Sequence, residues 1–167
     1  MPEQENLIEA FEHMLEDVNN SIHQAESALA PSIDEMILNA QILARELYSL
    51  TQEEAEGLSY SLKRDLHKAN IVINQQSKEI GDWLSFDFKL AENKFLELVA
   101  NAADKSWLEF HALDQLNHES NIYRCSEVCA PGTFTCSNCG ETLIITETAQ
   151  IPGCLKCSKT EFYRVVG

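Results

Sequence analysis

Two Cys-x-x-Cys pairs near the C-terminal end of the chain constrain its fold more than any other feature. Cys136 and Cys139 form the first pair, Cys154 and Cys157 form the second, and fourteen residues separate the pairs. Each pair places two thiolates on one tight turn, and two such turns supply four ligands for a tetrahedral metal shell. This spacing predicts a ribbon built around one Zn²⁺. Because sulfur would fill all four positions, no position remains for water or substrate, and we expect the metal to be structural.

Three other interpretations of these cysteines stay open at this level. They are a chance cluster of buried thiols, a redox dithiol, and an iron centre of the rubredoxin type. Two matched turns are more specific than one, which favours zinc over the first two. The short gap of fourteen residues and the lack of an aromatic-rich core argue against the iron centre.

Residues 5–30 carry apolar side chains at alternating steps of three and four, which is the seam of a coiled-coil-like helix. The seam residues are Ile8, Phe11, Leu15, Val18, Ile22, Ala25 and Leu29. Pro31 ends this helix, because proline cannot donate to a helical hydrogen bond and restricts the residue before it. Ser32, followed by Glu35, forms a capping box that predicts a second helix running to about Leu50.

The second helix has a wide apolar face, which is typical of packing in a helical bundle. This face consists of Ile33, Met36, Ile37, Ala40, Leu43, Ala44, Leu47 and Leu50. Thr51, followed by Glu54, forms another capping box, so we expect a third helix to begin there. Its stripe consists of Leu58, Leu62, Leu66, Ala69, Ile73, Gln76 and Ile80.

Gly81 marks either a kink or a further turn, and a helical pattern resumes after it and ends near Ser120. The resumed seam consists of Leu84, Phe88, Ala91, Phe95, Leu98 and Ala102. Trp83 and Phe86 lie off this seam, and we interpret them as core aromatics, with a partner-binding patch as the alternative. The sequence thus predicts a mostly α fold of antiparallel helical hairpins, or a bundle, with coiled-coil character.

The composition changes near residue 120, where helical stripes give way to β-branched and aromatic residues between turns. Residues 133–135, 142–146 and 160–165 predict a small C-terminal ribbon of three short antiparallel strands. A module of this size buries too little surface to fold alone, and we expect the metal to supply the missing stability. We therefore expect an acidic helical domain at residues 1–119 and a zinc ribbon at residues 120–167.

Several segments around the cysteine pairs match a pattern found in known proteins. They are residues 98–110, 123–128, 131–132, 136–140 and 154–157, with Phe162 and Arg164 behind. Together they resemble a family of uncharacterised bacterial zinc ribbon-containing proteins. The resemblance implies a helical N-terminal part, one C-terminal ribbon, and Cys136, Cys139, Cys154 and Cys157 as metal ligands. It implies no activity, because the family has none assigned.

The chain departs from that family at a few positions. Ser126 and Ser158 stand where glycine is usual, and Gly153 stands where proline is common. Each Cys-x-x-Cys turn, together with the residue that follows it, forms a knuckle that holds the metal. Glycine suits a knuckle because the turn requires positive φ, so we expect Ser158 to strain the second knuckle slightly. Cys125 and Cys129 lie outside the family pattern. We interpret them as packing residues or free thiols, with a redox pair or a second metal site as the alternative.

The charge of the chain is uneven. Residues 120–167 carry four basic and four acidic side chains, so the whole net charge of −15 lies in residues 1–119. This acidic part should repel nucleic acid and anionic membranes. We find no basic, apolar leader, and no stretch approaches the ~18 apolar residues of a membrane helix. Six cysteines in such a chain indicate a reducing cytoplasm.

No catalytic motif stands out in the sequence. His111, His118 and Glu119 lack the spacing of a metal site, and we interpret them as ordinary surface or half-buried side chains. A phosphate-binding loop, a nucleophile elbow and a paired-carboxylate site are not recognisable either. We therefore expect a non-enzymatic protein rather than an enzyme.

The features together favour a cytoplasmic zinc-ribbon protein that acts as a protein–protein interaction or regulatory module. We expect a protein partner, or self-association through the helices, and neither nucleic acid nor a membrane. The alternative is a zinc-ribbon protein associated with nucleic acid, the ribosome or transcription. That alternative rests on analogy between folds, since ribbons are frequent on such machinery.

Overall fold

A computed structural model describes residues 2–24, 32–75 and 122–165 of the chain. These residues contain three helices, α1 (Pro2–Gln24), α2 (Ile33–Leu47) and α3 (Gln52–Gln75). The six strands that follow are β1 (Ile122–Arg124), β2 (Val128–Cys129), β3 (Gly132–Cys136), β4 (Thr142–Ile145), β5 (Ala149–Gln150) and β6 (Glu161–Arg164). The predicted helical N-terminal region and the small antiparallel C-terminal sheet region are both present.

Both predicted capping boxes start helices. The Ser32 hydroxyl accepts from the Glu35 N–H at 3.3 Å, and the Glu35 carboxylate accepts from the Ser32 N–H at 3.0 Å. The same exchange occurs at the start of α3. The Thr51 hydroxyl accepts from the Glu54 N–H at 3.2 Å, and the Glu54 carboxylate accepts from the Thr51 N–H at 2.7 Å. These side chains satisfy backbone donors that a helix start leaves unpaired, so the helix starts were readable from the sequence.

Consecutive helices are antiparallel neighbours, and all three share an apolar core. Asn6 at the start of α1 donates to the Tyr48 carbonyl at the end of α2, at 3.1 Å. Lys63 of α3 reaches Asp34 at the start of α2, also at 3.1 Å. The core buries Phe11, Leu15, Val18 and Ile22 of α1, Ile33, Met36, Ile37, Ala40 and Ala44 of α2, and Leu58, Leu62 and Leu66 of α3. Ile8 packs against this core and is partly buried.

The apolar face predicted for α2 is too wide. Leu43 and Leu47 remain 48% and 63% exposed, whereas Met36 and Leu50 are buried as expected. The buried arc of α2 is limited to the side that faces α1 and α3. Leu43 lies at the flank of that arc, and Leu47 lies in the last turn of the helix.

The prediction of a three-stranded ribbon is also corrected. The expected strands correspond to β3, β4 and β6, but β1 pairs with β6 and completes a four-stranded antiparallel sheet in the order β1-β6-β3-β4. Strands β2 and β5 form a second, two-stranded ladder. β1 and β2 contain three and two residues, too few to show the alternation by which strands are recognised in a sequence.

The ribbon packs directly on the helices. Val128 and Ala130 belong to the same buried cluster as the residues of α1, α2 and α3.

The predicted domain boundary between residues 119 and 120 lies outside the described residues and stays a prediction. The same holds for Ala25, Leu29, Gln76 and Ile80, for the predictions at Gly81, Trp83 and Phe86, for the seam at residues 84–102, and for His111, His118 and Glu119. Within the described residues, no helix has the length and apolar character that a membrane span requires.

Candidate metal centre

The four predicted ligands lie together in the structure. The Sγ atoms of Cys136, Cys139, Cys154 and Cys157 are all within 4.8 Å of one another. Cys136 Sγ is 3.6 Å from Cys157 Sγ, and Cys139 Sγ is 3.6 Å from Cys154 Sγ. A tetrahedral shell with Zn–S bonds of about 2.3 Å places its sulfurs about 3.8 Å apart. The cluster therefore has the dimensions of a four-sulfur metal site.

The two knuckles that present these sulfurs have the same backbone hydrogen bonds. The Gly140 N–H donates to the Cys136 carbonyl at 3.0 Å, and the Ser158 N–H donates to the Cys154 carbonyl at 2.8 Å. The Cys136 N–H donates to the Glu141 carbonyl at 2.8 Å, and the Cys154 N–H donates to the Lys159 carbonyl at 2.9 Å. This repetition arises because both turns have the same Cys-x-x-Cys spacing.

The last residue of each knuckle, directly after the second cysteine, has left-handed backbone. Gly140 has φ 72° in the first knuckle, and Ser158 has φ 58° in the second. Ser126, the other serine at a position where glycine was expected, has φ 73°. A side chain in this region brings Cβ close to the following carbonyl, which glycine avoids. Ser158 therefore has the backbone conformation in which the predicted strain arises.

Strand pairing brings the knuckles together. The first knuckle joins β3 to β4, whereas the second leads into β6, and β6 pairs with β3. Cys136 lies directly opposite Phe162 in that pairing. The Ser137 N–H also donates to the Glu161 carbonyl, at 3.0 Å. The cluster thus depends on contact between strands that lie 25 or more residues apart in the chain.

The chemistry of the four thiols suits a cation. The Lys159 N–H favours the Cys157 thiolate and lowers the pKa of that thiol. The Glu141 N–H acts on Cys139 in the same direction, but desolvation and the neighbouring sulfurs outweigh it and raise the pKa of Cys139 to about 12. The neighbouring sulfurs therefore disfavour the charged form of the Cys139 thiol. A divalent metal ion would offset this cost, because metal binding replaces the protons of the thiols that ligate it.

The two remaining cysteines do not join the cluster. Cys129 is fully buried in the ribbon core, and burial, followed by the nearby Asp65 carboxylate, raises its pKa to about 12. Cys125 is partly exposed. In the part of the chain that the structure describes, neither belongs to a group of three or more metal-binding side chains. Cys129 therefore fits the interpretation as a packing residue.

A buried ion pair beside the metal centre was missed by the sequence analysis. Asp65 of α3 and Arg164 of β6 approach to 3.0 Å, and their side chains are 0% and 5% exposed. The Asp65 carboxylate also accepts from the Tyr123 hydroxyl at 2.9 Å and from the Ala130 N–H at 2.7 Å. Burial alone would lower the pKa of Arg164, but the Asp65 charge outweighs it and raises that pKa.

Arg164 distributes its remaining donors within the ribbon. They reach the carbonyls of Pro131 and Ala130 at 2.8 and 2.9 Å, and the Tyr123 hydroxyl at 3.2 Å. The guanidinium also lies 4.6 Å from the centre of the Phe134 ring. In the sequence, Arg164 stands out only in the family resemblance and as one of the four basic residues of the ribbon, because its strand pattern gives no sign that a charged residue would be buried.

Arg64 adds a second contact between α3 and the ribbon. Its side chain is 1% exposed, and its guanidinium carbon lies 3.6 Å from the centre of the Tyr123 ring, which is cation–π distance. It donates to the Ile122 carbonyl at 3.0 Å and to the Glu127 carboxylate at 2.8 Å. Two neighbouring charged residues of one helix are thus buried against the ribbon.

Comparison with known proteins agrees with the cysteine geometry. Residues 20–166 match the DUF1451 family, described as a zinc-ribbon containing domain. "Uncharacterized protein YbeL" from three strains of Escherichia coli is 27% identical over 133 residues, which cover 79% of this chain and 81% of the relative. No solved structure matches the chain. Since the family match extends over most of the sequence, the chain belongs to the family of zinc-ribbon containing domains.

Proposed function

We propose that this chain is a non-enzymatic zinc-ribbon protein that acts by binding another protein, with Zn²⁺ as a structural ion. The observation that carries the proposal is the closed cluster of Cys136, Cys139, Cys154 and Cys157, whose sulfurs lie within 4.8 Å. Four protein thiolates complete a tetrahedral shell and leave no coordination position for a substrate or for water. Zn²⁺ bound there would hold the two knuckles together and stabilise the ribbon.

The surface of α2 supports a protein partner. Four large apolar side chains of this helix are about half exposed: Leu38 at 51%, Ile42 at 50%, Leu43 at 48% and Leu47 at 63%. Leu38 and Ile42 lie one helical turn apart and therefore share a face. Grouped exposed apolar side chains are typical of surfaces that contact another polypeptide. Self-association through this helix, including a coiled coil, belongs to the same proposal.

The charges of the ribbon favour protein over nucleic acid. Of its four basic side chains, Arg164 is buried against Asp65 and is not accessible to a phosphate. Arg124 faces Glu161 at 3.8 Å, and Lys156 faces Glu141 at 3.4 Å. Affinity for nucleic acid depends largely on basic side chains that neutralise phosphates, and the net charge of the chain is −15.

The thiols of the chain support a cytoplasmic location. The cluster binds a metal only with its four cysteines reduced, and the six described cysteines are all free. A reducing compartment keeps such thiols available.

The proposal is tested by capture from a native lysate with zinc-loaded full-length chain, followed by sedimentation of the purified protein. The test variant combines Leu38→Glu and Ile42→Glu, and the control is Asn39→Glu, an exposed residue of the same helix. We expect one defined protein, or a second copy of the chain, to bind wild type and control and to be lost from the double variant. Binding that the double variant retains, or a salt-sensitive mobility shift with RNA or duplex DNA, would contradict the proposal.

A further inference from the structure

Strands β3 and β6 connect the cysteine cluster with the Asp65–Arg164 ion pair, because Cys136 lies on β3 and Arg164 lies on β6. Cys136 of β3 lies opposite Phe162 of β6, and Phe134 of β3 lies opposite Arg164. One ligand and one partner of the ion pair are therefore two residues away from each other along the β3–β6 ladder. The position of the Arg164 guanidinium depends on that ladder.

The β3–β6 ladder depends in turn on the cysteine cluster. The buried core of the ribbon consists of Tyr123, Cys129, Phe134, Cys136, Ile145, Ile151, Cys154 and Phe162. Two of these eight residues are cluster cysteines, and Cys139 and Cys157 pack against the same core. So small a core does not hold a module of this size without a cross-link. When the four sulfurs are not joined through an ion, the ladder loses the link between its two knuckles.

The contact between the ribbon and α3 is destabilised if the ribbon loses only part of its structure. The described donors to the Asp65 carboxylate are Tyr123, Ala130 and Arg164, and all three belong to the ribbon. A carboxylate that stays buried after losing its cation is strongly destabilising. If Arg164 moves away, Asp65 must regain water, which requires the ribbon to leave the surface of α3.

We propose that filling of the cysteine cluster and docking of the ribbon on α3 are thermodynamically coupled, so that the ribbon leaves α3 when the cluster opens. Undocking would separate Val128 and Ala130 from the helical core and expose the surface around Arg64 and Asp65. The chain would thus present a different surface with and without metal. This inference rests on the metal-binding part of the proposed function.

Coupling is reciprocal, so a change at Asp65 should alter metal affinity although Asp65 is not a ligand. The test is a zinc competition titration of the full-length chain against a chromophoric chelator, with Asp65→Asn as the variant. Asp34→Asn is the matched control, since it makes the same substitution in a surface ion pair. We expect zinc affinity to fall about tenfold or more in Asp65→Asn, within the usual range of coupling between sites, and to stay within about twofold in the control.

A folded Asp65→Asn variant with wild-type zinc affinity would overturn the coupling. Wild-type protein that binds no zinc at all would instead contradict the proposed function.

Carbodiimide labelling of the wild-type chain tests the same inference without a variant that has to fold. The Asp65 side chain is 0% exposed, whereas that of Asp34 is 30% exposed. We expect Asp65 to resist labelling in the zinc-loaded protein and to react after the zinc is removed, while Asp34 reacts in both states. Asp65 that stays unlabelled in the zinc-free protein would overturn the inference.

Discussion

Asp65 of α3 and Arg164 of β6 lie 99 residues apart in the sequence and form a buried ion pair at 3.0 Å. The pair fixes the ribbon on the helical part, because each partner interacts directly with a buried charge of opposite sign. Neither residue is a candidate metal ligand, yet both belong to the structure that positions the metal centre.

The ion pair predicts a non-additive response to mutation. Arg164→Met removes the cation that donates to the buried Asp65 carboxylate, and we expect the free energy of unfolding to fall by about 3–5 kcal/mol. Adding Asp65→Leu removes the carboxylate that has lost this partner, so the double variant should be more stable than the sum of the single effects predicts. Denaturant unfolding of the two single variants and the double variant, in saturating zinc, measures these free energies. The surface variant Arg124→Met is the control, with an expected cost below about 1 kcal/mol. Strictly additive effects would show that the pair contributes no coupling.

The metal centre predicts one Zn²⁺ per chain. Cys154→Ser removes a buried sulfur from the cluster, and we expect the bound zinc to fall well below one equivalent by elemental analysis. Cys125→Ser is the control and should keep its zinc, because Cys125 lies outside the cluster. Undiminished zinc in Cys154→Ser would mean that another side chain completes the shell.

Close approach of Arg164 to the backbone makes Gly132 sensitive to substitution. A Cβ at Gly132 would overlap the Arg164 Nη1 and lie 2.9 Å from its guanidinium carbon. We therefore expect Gly132→Ala to lower the midpoint of thermal unfolding by several degrees, since the guanidinium cannot move without leaving Asp65. Gly153→Ala is the matched control, because a Cβ there meets nothing within 4 Å. Equal melting temperatures for the two variants would contradict this role of Gly132.

Left-handed backbone at Ser158 predicts a stabilising substitution. Glycine adopts φ near 58° without the Cβ strain of serine, so Ser158→Gly should raise the stability of the zinc-loaded protein by about 0.5–1 kcal/mol. Ser137→Gly, in the first knuckle and outside the left-handed region, should lower stability instead. Thermal unfolding measures both variants, and a loss of stability in Ser158→Gly would show that its side chain has another role.

Burial of Cys129 predicts both its reactivity and a pH dependence. At pH 8 in the zinc-loaded protein, we expect iodoacetamide to label Cys125 and to leave Cys129 unmodified until the protein unfolds. Burial raises the pKa of Cys129 from 9.0 to about 12, so the folded state keeps a proton that the unfolded state loses. The contribution of this thiol to stability is therefore complete below pH 9 and is lost as the pH rises from 9 towards 12. Mass spectrometry of labelled peptides checks the first expectation, and rapid labelling of folded Cys129 would contradict it.

The sequence by itself determined the features that depend on residues close together in the chain. The capping boxes at Ser32 and Thr51 start helices as expected, because a side chain three residues away supplies the missing acceptor. The two Cys-x-x-Cys turns present their sulfurs as expected, because each pair shares one turn. The positive φ at Ser158 follows from the same local geometry.

The tertiary structure alone decided which surfaces meet. The β-strand Ile122–Arg124 exists because β6 offers it an edge, and its three residues carry too little pattern to predict it. Leu43 and Leu47 remain exposed because the neighbours of α2 cover only part of its apolar side. Burial of Arg64 and Asp65 likewise depends on a strand that begins more than fifty residues later. A charged side chain is buried only where a distant partner satisfies it, and such a partner leaves no periodic pattern in the sequence around either residue.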